Sequence, residues 1–336
     1  MNLKNILSVI TLLFFVFFTS CSSNKEECEE GLLTYPTPEQ IADGEAYRQS
    51  AEECRLPKVQ TYQVSNLTGG EVVANQGTVF FINPQTFANQ DGTLIDGNVT
   101  LEVLEMFTQG DIIACQLSTN GINPENNIEP LLTEGLFYIN ITYNNQPVTI
   151  IQNIDVFIPS SNLGNFNHMF LSPSCPDLLC QVLWERDTSV EVIETTYITT
   201  TGESVTGYAS FLHQNNTFGW HNIGRYLPQD ITRTTIYNKA PAGYNKTNSN
   251  VFLVYNQDAL SVALFEKFDD ENKVFTEMHR QLPLNIEANV IFTTKQNQEF
   301  LYASKPVTIT ENKITTTLDI NSEQEEETLI NALNDL

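Results

Sequence analysis

Apolar and polar residues alternate along several stretches of this 336-residue chain, and this period of two most constrains the fold. Val99, Leu101 and Val103 are apolar, whereas Thr100 and Glu102 between them are polar. The same alternation recurs in the ranges 137–143, 154–158 and 260–264. Successive side chains of a β-strand point to opposite faces, so the pattern predicts strands with one buried face. With almost no helical periodicity beside it, the chain is predicted to be all-β.

The strand-like stretches form two groups, which predict two antiparallel β-sandwich domains. The first is expected over residues 61–160 and the second, smaller one over residues 231–320. Between them, residues 161–230 form a β-rich middle region rich in threonine. The sequence therefore predicts two sandwiches joined by a segment that is itself largely β.

A short helix is predicted at the C-terminal end, over residues 321–336. Leu329, Ile330 and Leu333 fall on one helical stripe. Ser322 and Glu325 have the spacing of a capping box, which would start the helix. We expect this helix to pack on the second sandwich.

The first 20 residues have the features of an export signal. Lys4 precedes an apolar run from residue 6 to residue 18, which is too short for a permanent membrane span. Thr19 and Ser20 then lead into Cys21, and this ending resembles a bacterial lipobox. The resemblance implies that Cys21 is lipidated and anchors the mature chain to a membrane. An ordinary secretory signal followed by an incidental cysteine is the alternative.

Residues 21–60 are expected to form an acidic tether and a weakly helical lead-in. Lys25, Glu26 and Glu27 follow the cysteine closely. They resemble the surface-export signal of lipoproteins in the Bacteroidetes, which implies outer-membrane attachment with exposure at the cell surface. A simple solvated tether on a periplasm-facing protein is the alternative.

The charge balance excludes one class of partner. The formal net charge is −25, from 16 basic and 41 acidic residues. Such a chain repels nucleic acid and offers no basic patch to phosphates. We therefore expect no nucleic-acid partner.

Beyond Cys21 the chain has five cysteines, and an oxidising compartment would favour disulfides among them. Cys175 and Cys180 are predicted to close a small loop. Cys28 is expected to pair with Cys54 and to clamp the N-terminal segment. Cys115 follows an apolar run and is expected to be a buried free thiol. Spacing alone leaves other pairings open.

Turn glycines and core strands between residues 70 and 160 form a recognisable set. Its members are Phe81-Ile82-Asn83-Pro84 with Phe87, Asp91-Gly92, Gly97 with Val99 and Leu101, Gly110-Asp111, Leu132 with Gly135, and Val156 with Ile158-Pro159. This set resembles the β-sandwich domain shared by ankyrins, zonula occludens proteins and netrin receptors, a divergent form of which recurs in Bacteroidetes lipoproteins. The resemblance implies a structural or partner-binding module without defined catalytic residues.

Residue patterns that carry chemistry are scarce. The chain has four histidines and no H-E-x-x-H motif, and Cys175 and Cys180 lack the second pair that a structural zinc site needs. We therefore expect no metal, no other cofactor and no catalytic residues. Trp184 and Trp220, the only tryptophans, could contact a sugar, but burial in the core is the favoured interpretation.

Three functions are compatible with these observations. The favoured one is a non-catalytic outer-membrane lipoprotein that acts by protein–protein contact, as an accessory subunit of an outer-membrane or cell-surface complex. The second is a glycan-binding surface lipoprotein that serves polysaccharide uptake. The third is a hydrolase whose residues the sequence does not reveal.

Overall fold

Strands account for most of the ordered elements in the computed structural model, which describes residues 38–336 except 162, 165, 214–217, 229, 256–258, 278 and 318. The all-β prediction is confirmed. In the first half of the chain the elements are α1 (Pro38–Arg55), a 3₁₀ turn (Leu56–Lys58), β1 (Gln60–Ser65), β2 (Gly70–Val73), β3 (Val79–Ile82), β4 (Phe87–Ala88), β5 (Asn98–Met106), α2 (Gln109–Ala114), β6 (Asn120–Ile122), β7 (Ile128–Pro130), β8 (Leu132–Tyr143), β9 (Gln146–Pro147), β10 (Thr149–Ile150), β11 (Ile154–Pro159) and β12 (His168–Leu171).

The second half continues with strands and ends in a helix. Its elements are β13 (Glu185–Asp187), β14 (Ile193–Ile198), β15 (Ser204–Leu212), β16 (Gly219–Arg225), β17 (Arg233–Thr234), β18 (Ile236–Lys239), β19 (Ser249–Tyr255), β20 (Ser261–Leu264), β21 (Lys267–Asp269), β22 (Val274–Thr276), β23 (Leu282–Pro283), β24 (Glu287–Gln296), β25 (Glu299–Thr308), β26 (Lys313–Thr316), β27 (Asn321–Glu323) and α3 (Glu326–Asn334).

Two sheets form the first sandwich. One has the order β1-β5-β8-β16-β12-β13, with β9 also paired to β8, and the other has the order β14-β15-β11-β3-β2. Their inner faces meet in one apolar core, where the rings of Phe80 and Phe137 lie 6.0 Å apart, edge to face. The middle region 161–230 supplies β12, β13 and β16 to the first of these sheets and β14 and β15 to the second. The sandwich thus draws its strands from residues on both sides of 160.

A second pair of sheets is built from the later strands. The four-stranded sheet runs β21-β22-β18-β26, and the five-stranded sheet runs β20-β19-β24-β25-β27. Strands β18 and β26 pair in parallel, in an otherwise antiparallel arrangement. Ile236 and Phe275 belong to the same apolar core as Val251, Leu253 and Phe292.

A separate apolar cluster joins elements of the two sandwiches and the helices. It includes Leu104 and Trp220 from the first sandwich, Phe252 and Val262 from the second, and Leu333 from α3. The described residues accordingly form one compact unit. None of the helices described is long and apolar enough to cross a membrane.

The C-terminal helix is present, but its predicted capping box is wrong. Ser322 lies in β27, opposite Leu301, so it cannot be the first residue of a capping box. Glu325 is the N-cap residue instead, without a side-chain cap bond. As expected, the helix shares an apolar cluster with residues of the second sandwich, among them Phe252 and Val262. It also packs on α2, where a Cβ atom at Gly110 would lie 2.3 Å from the Ile330 carbonyl oxygen. That close approach requires glycine at this position.

The lead-in helix α1 is tied to the rest of the chain by polar and covalent contacts. Tyr47 is buried, and its hydroxyl hydrogen-bonds the Thr293 hydroxyl at 2.5 Å. Ser50, Cys54 and Arg55 are buried on the same side. The stripe has helical spacing but few aliphatic residues, which is why hydrophobic periodicity alone marks this helix only weakly.

Candidate functional site

The β14–β15 hairpin carries the most conspicuous apolar surface of the described chain outside the core. Ile193 is 57% exposed and Ile198 is 56% exposed, and Tyr197 lies between them. We define the hairpin surface as the apolar residues of β14, Ile193, Tyr197 and Ile198, with Phe81 and Phe157. Ile193 and Tyr197 share one face of the sheet with the outward-facing Phe81 and Phe157, and Ile198 points to the other face. Large exposed apolar groups that cluster in this way mark interaction sites more often than scattered ones do.

Alternation along the strands explains how aromatic rings reach this surface. In β11, Ile154, Val156 and Ile158 point into the core, so Phe157 must point outward. The Tyr197 ring covers it, with ring centroids 5.4 Å apart. Tyr197 also contacts the Phe81 ring at 5.7 Å. The hairpin therefore lies over aromatic rings that would otherwise face solvent.

A hydrogen bond fixes Tyr197 in this position. Its hydroxyl donates to Glu71 Oε1 at 2.5 Å, across from β14 to β2. Acceptance of this bond by the carboxylate raises the pKa of the Tyr197 phenol. The two edge strands of the sheet are thus connected through one side chain.

The backbone of β14 is the second feature of the hairpin surface. In the described chain, β14 is the terminal strand of its sheet, with β15 on one side only. Natural edge strands are usually protected by lysine, proline or a bulge, because their free N–H and C=O groups can pair with another chain. The β14 sequence, Ile-Glu-Thr-Thr-Tyr-Ile, contains no lysine or proline. It is rich in residues that favour strands.

The charge of this sheet is entirely of one sign. Its five strands contain Glu71, Asp155 and Glu194 and no lysine or arginine. A partner that binds here would therefore be favoured by basic side chains around an apolar centre.

The cysteine pairings differ from the prediction at one of two places. The predicted bond between Cys175 and Cys180 is present. Cys54 is bonded to Cys115, so the predicted pairing of Cys54 with Cys28 and the predicted free thiol at Cys115 are both wrong. Cys115 follows α2 directly, and the fold brings it to α1 with a Cα–Cα distance of 5.2 Å. Sequence spacing contains no information about that approach.

The predicted residues of the N-terminal segment lie outside the described residues. These are Cys21, Lys25, Glu26, Glu27 and Cys28. Trp184 and Trp220 are described, and both are buried, with 0% and 1% exposure. Their indole N–H groups donate to the carbonyl oxygens of Ser118 and Asp177. Neither ring therefore presents a face to a sugar.

A serine and a histidine lie together shortly before β14 and after β15 in the chain. Ser189 Oγ is 2.5 Å from His213 Nε2, and it also donates to Asp187 Oδ1. Asp187 Oδ2 lies 3.8 Å from the same His213 nitrogen. In a hydrolytic triad the carboxylate and the serine contact opposite nitrogens of the ring. Here the Ser189 hydroxyl donates its hydrogen bond to Asp187, two residues earlier in the chain, and not to the histidine. This is a local hydrogen bond within a turn and does not activate the serine.

His221 is the other notable histidine. It is 1% exposed, and its ring stacks on Phe137 with centroids 5.0 Å apart. Burial lowers the pKa of His221 to about 3, so the imidazole is neutral. In the described part of the chain neither ring nitrogen has a hydrogen-bond partner, and no group of three or more His, Cys, Asp or Glu could hold a metal ion.

Comparison with known proteins adds no functional relative: no protein-family model matches the chain, and no curated protein is significantly similar to it.

The hairpin surface was not predicted from the sequence, although a signal for it exists. Phe81 and Phe157 lie on the outward face of strands whose inward face is already apolar. An aromatic residue on the face expected to meet solvent indicates that another element covers it. Which element covers it depends on strand order, and alternation does not specify strand order.

Proposed function

We propose that the chain is a lipid-anchored, non-enzymatic protein of the outer membrane that acts by contact with another protein. The hairpin surface is the observation that carries the proposal. It combines exposed isoleucines, an edge strand with one neighbour in the described chain, and a sheet without basic residues. These are features of a surface that another polypeptide covers.

The proposed mode of contact is strand addition to β14. An extended partner segment would pair with the β14 backbone and place alternate side chains on Ile193 and Tyr197. Such pairing derives its affinity from main-chain hydrogen bonds and its specificity from alternate side chains. Lysine or arginine on the partner would be placed near Glu194 and Glu71.

The anchor and the compartment rest on other observations. The ending Thr19-Ser20-Cys21 resembles a lipobox, and the resemblance to Bacteroidetes lipoproteins points to the outer membrane. Two disulfides fit an oxidising compartment. Lys25, Glu26 and Glu27 support display at the cell surface, with a periplasm-facing location as the alternative.

The other two functions have less support. A glycan site depended on Trp184 or Trp220 being accessible, and both are buried. A serine hydrolase would need a serine activated by histidine, and Ser189 donates to Asp187 instead. Neither function is favoured by a specific observation.

Capture from solubilised outer membranes tests the contact. The tagged wild-type chain is expected to co-purify with a defined protein, and the Ile193→Lys/Ile198→Lys variant is expected to lose it. Added lysines block edge pairing and interrupt the apolar surface. Ile314→Lys is the matched control, because Ile314 is 68% exposed on β26, in a different sheet. Recovery of the wild-type chain only as a free monomer would contradict the proposal.

Anchoring and leaflet are tested separately in cells. Cys21→Ser is expected to release the protein from the membrane fraction. Protease added to intact cells is expected to degrade the wild-type chain but spare a variant with Lys25, Glu26 and Glu27 replaced by alanine. Protection of the wild-type chain would indicate the periplasm-facing alternative.

A further inference from the structure

A cavity of about 510 Å³ lies between α1, the loop closed by Cys175 and Cys180, and the β19–β20 region. We call it the polar cavity because most of its lining residues are polar or charged. Arg48 and Arg55 line it from α1, and Lys246 and Glu266 line it from the second half of the chain. The chain has 16 basic against 41 acidic residues. Convergence of three cations on one cavity with one carboxyl group is therefore unusual for this protein.

Glu266 is the one carboxyl group in the lining, and it acts on Lys246 only at a distance. Among the described residues, no Asp or Glu oxygen lies within ion-pair distance of Arg48, Arg55 or Lys246. Arg55 is buried, and Arg48 and Lys246 are partly buried. Because charges withdrawn from water are normally paired or bound to a ligand, the excess positive charge here favours an anion.

The two arginines are held rigidly by neutral groups. Arg55 Nε donates to the Cys115 carbonyl oxygen at 3.0 Å, and its Nη1 donates to the carbonyl oxygens of Leu178 and Cys180, both at 2.9 Å. Burial lowers the pKa of Arg55 to about 10, so it remains charged at neutral pH. Cys115 and Cys180, whose carbonyl oxygens accept from Arg55, each belong to one of the two disulfides.

Arg48 is fixed in a similar way. Its Nη1 donates to Asn250 Oδ1 at 3.3 Å, and its Nη2 donates to the Ser249 carbonyl oxygen at 3.3 Å and to that of Lys246. A site whose charged groups are already positioned loses little entropy when it binds a ligand.

Several polar groups in the cavity have unused hydrogen-bonding capacity. Lys246 Nζ can donate three hydrogen bonds and makes one within the described part of the chain, to the Phe265 carbonyl oxygen at 3.1 Å. Asn250 is 1% exposed, and its Nδ2 has no hydrogen-bond partner among the described residues. The same holds for Oε2 of Glu266, whose other oxygen accepts from Asn120. The cavity lining thus has unused donors at Lys246 and Asn250 and an unused oxygen at Glu266.

We infer that this cavity binds a small organic carboxylate that also carries a hydroxyl or amino donor. The ligand carboxylate would accept hydrogen bonds from Lys246 and Asn250 beside Arg48. Its hydroxyl or amino group would donate to Glu266 Oε2. A fixed cluster of cationic donors binds a carboxylate through charge-assisted hydrogen bonds.

The protonation of the two side chains agrees with this assignment. Burial lowers the pKa of Lys246 to about 8, which leaves it largely charged at pH 7. Burial also raises the pKa of Glu266 to about 7. Near neutral pH the cavity therefore carries more positive than negative charge.

Calorimetric titration of the mature, detergent-solubilised chain tests the inference. The probes are succinate, L-malate, which adds a hydroxyl group, L-glutamate, which adds an amino group, and the uncharged succinamide. Saturable binding is expected for at least one of the three carboxylates, tighter for malate or glutamate than for succinate, and none is expected for succinamide. Absence of saturable binding by all three carboxylates would overturn the inference, and so would equal binding of succinamide.

Variants locate the binding in the cavity. Lys246→Gln is expected to weaken carboxylate binding roughly tenfold, because it removes the charge from one donor. Glu266→Gln is expected to abolish the preference for malate over succinate. Lys239→Gln is the matched control, since Lys239 is exposed on β18 outside the cavity lining, and it should bind as the wild type does. Unchanged binding in Lys246→Gln would refute the assignment.

This inference does not depend on the proposed partner contact. The Ile193→Lys/Ile198→Lys variant should bind the carboxylate probes as the wild type does, and Lys246→Gln should still co-purify with a partner. A failure of carboxylate binding is therefore distinguishable from a failure of partner binding.

Discussion

Cys54 and Cys115 lie 61 residues apart in the chain and are joined by a disulfide that ties the last turn of α1 to the end of α2. The neighbouring Arg55 donates to the Cys115 carbonyl oxygen. The disulfide therefore fixes the position of α1, which carries Arg48 and Arg55, relative to the part of the cavity lining that follows α2. It links the stability of the N-terminal helix to the geometry of the polar cavity.

Removal of this disulfide should destabilise the protein more than removal of the other one. In the chain-entropy model a loop of 61 residues contributes about 4 kcal/mol. The Cys175–Cys180 loop, with a separation of 5, contributes about 2 kcal/mol. Urea denaturation of Cys54→Ala/Cys115→Ala and Cys175→Ala/Cys180→Ala measures the difference. Equal losses, or a larger loss for the small loop, would contradict the account.

Both tryptophans should behave as core residues. Both rings are almost fully buried and their indole N–H groups donate to carbonyl oxygens, so water-borne quenchers should have little access. Native fluorescence is expected to resist iodide and to become quenchable only after unfolding. Trp184→Phe is expected to cost roughly 2 kcal/mol, because it leaves the Ser118 carbonyl oxygen without its donor and creates a small void. Strong quenching of the native protein would show that a tryptophan is accessible.

Much of the fold could be predicted from the sequence, because alternation is a local property. The inward sets Val99, Leu101, Val103 and Ile154, Val156, Ile158 are buried as predicted. Strand order is not local, and nothing in residues 161–230 indicates that β15 pairs with β11 and that β16 pairs with β8. The cavity and the Cys54–Cys115 bond depend on that long-range arrangement. The hairpin surface depends on it too, so none of the three was predicted.

The lead-in helix shows a second limit of sequence patterns. Its buried residues include Tyr47, Ser50 and Arg55, which are polar or amphipathic. Hydrophobic periodicity detects aliphatic stripes, so a helix held by hydrogen bonds and a disulfide gives only a weak signal.

Acid should destabilise the protein through His221. Its pKa is about 3 in the folded state and about 6.5 in the unfolded chain, so the unfolded state takes up a proton first as the pH falls. The contribution of His221 to stability is therefore constant above the unfolded pKa and declines as the pH falls from about 6.5 towards 3. The expected loss between pH 7 and pH 4 is roughly 3 kcal/mol.

Comparison with a variant isolates this contribution from those of other groups. His221→Phe keeps the stack on Phe137 and removes the titrating ring, so its stability should fall less over the same pH range. His279→Gln is a control at a partly exposed histidine. If wild type and His221→Phe lose stability in parallel, the buried imidazole is not the acid-sensitive group.

Site-specific photo-crosslinking in intact cells tests the central claim most directly. A photoreactive residue replaces Thr196, in the middle of the edge strand β14, and in a second strain it replaces Ile314 on β26. The account predicts one defined protein adduct from position 196, abolished by Ile193→Lys/Ile198→Lys and absent from position 314. No adduct from position 196, or the same adducts from both positions, would contradict it.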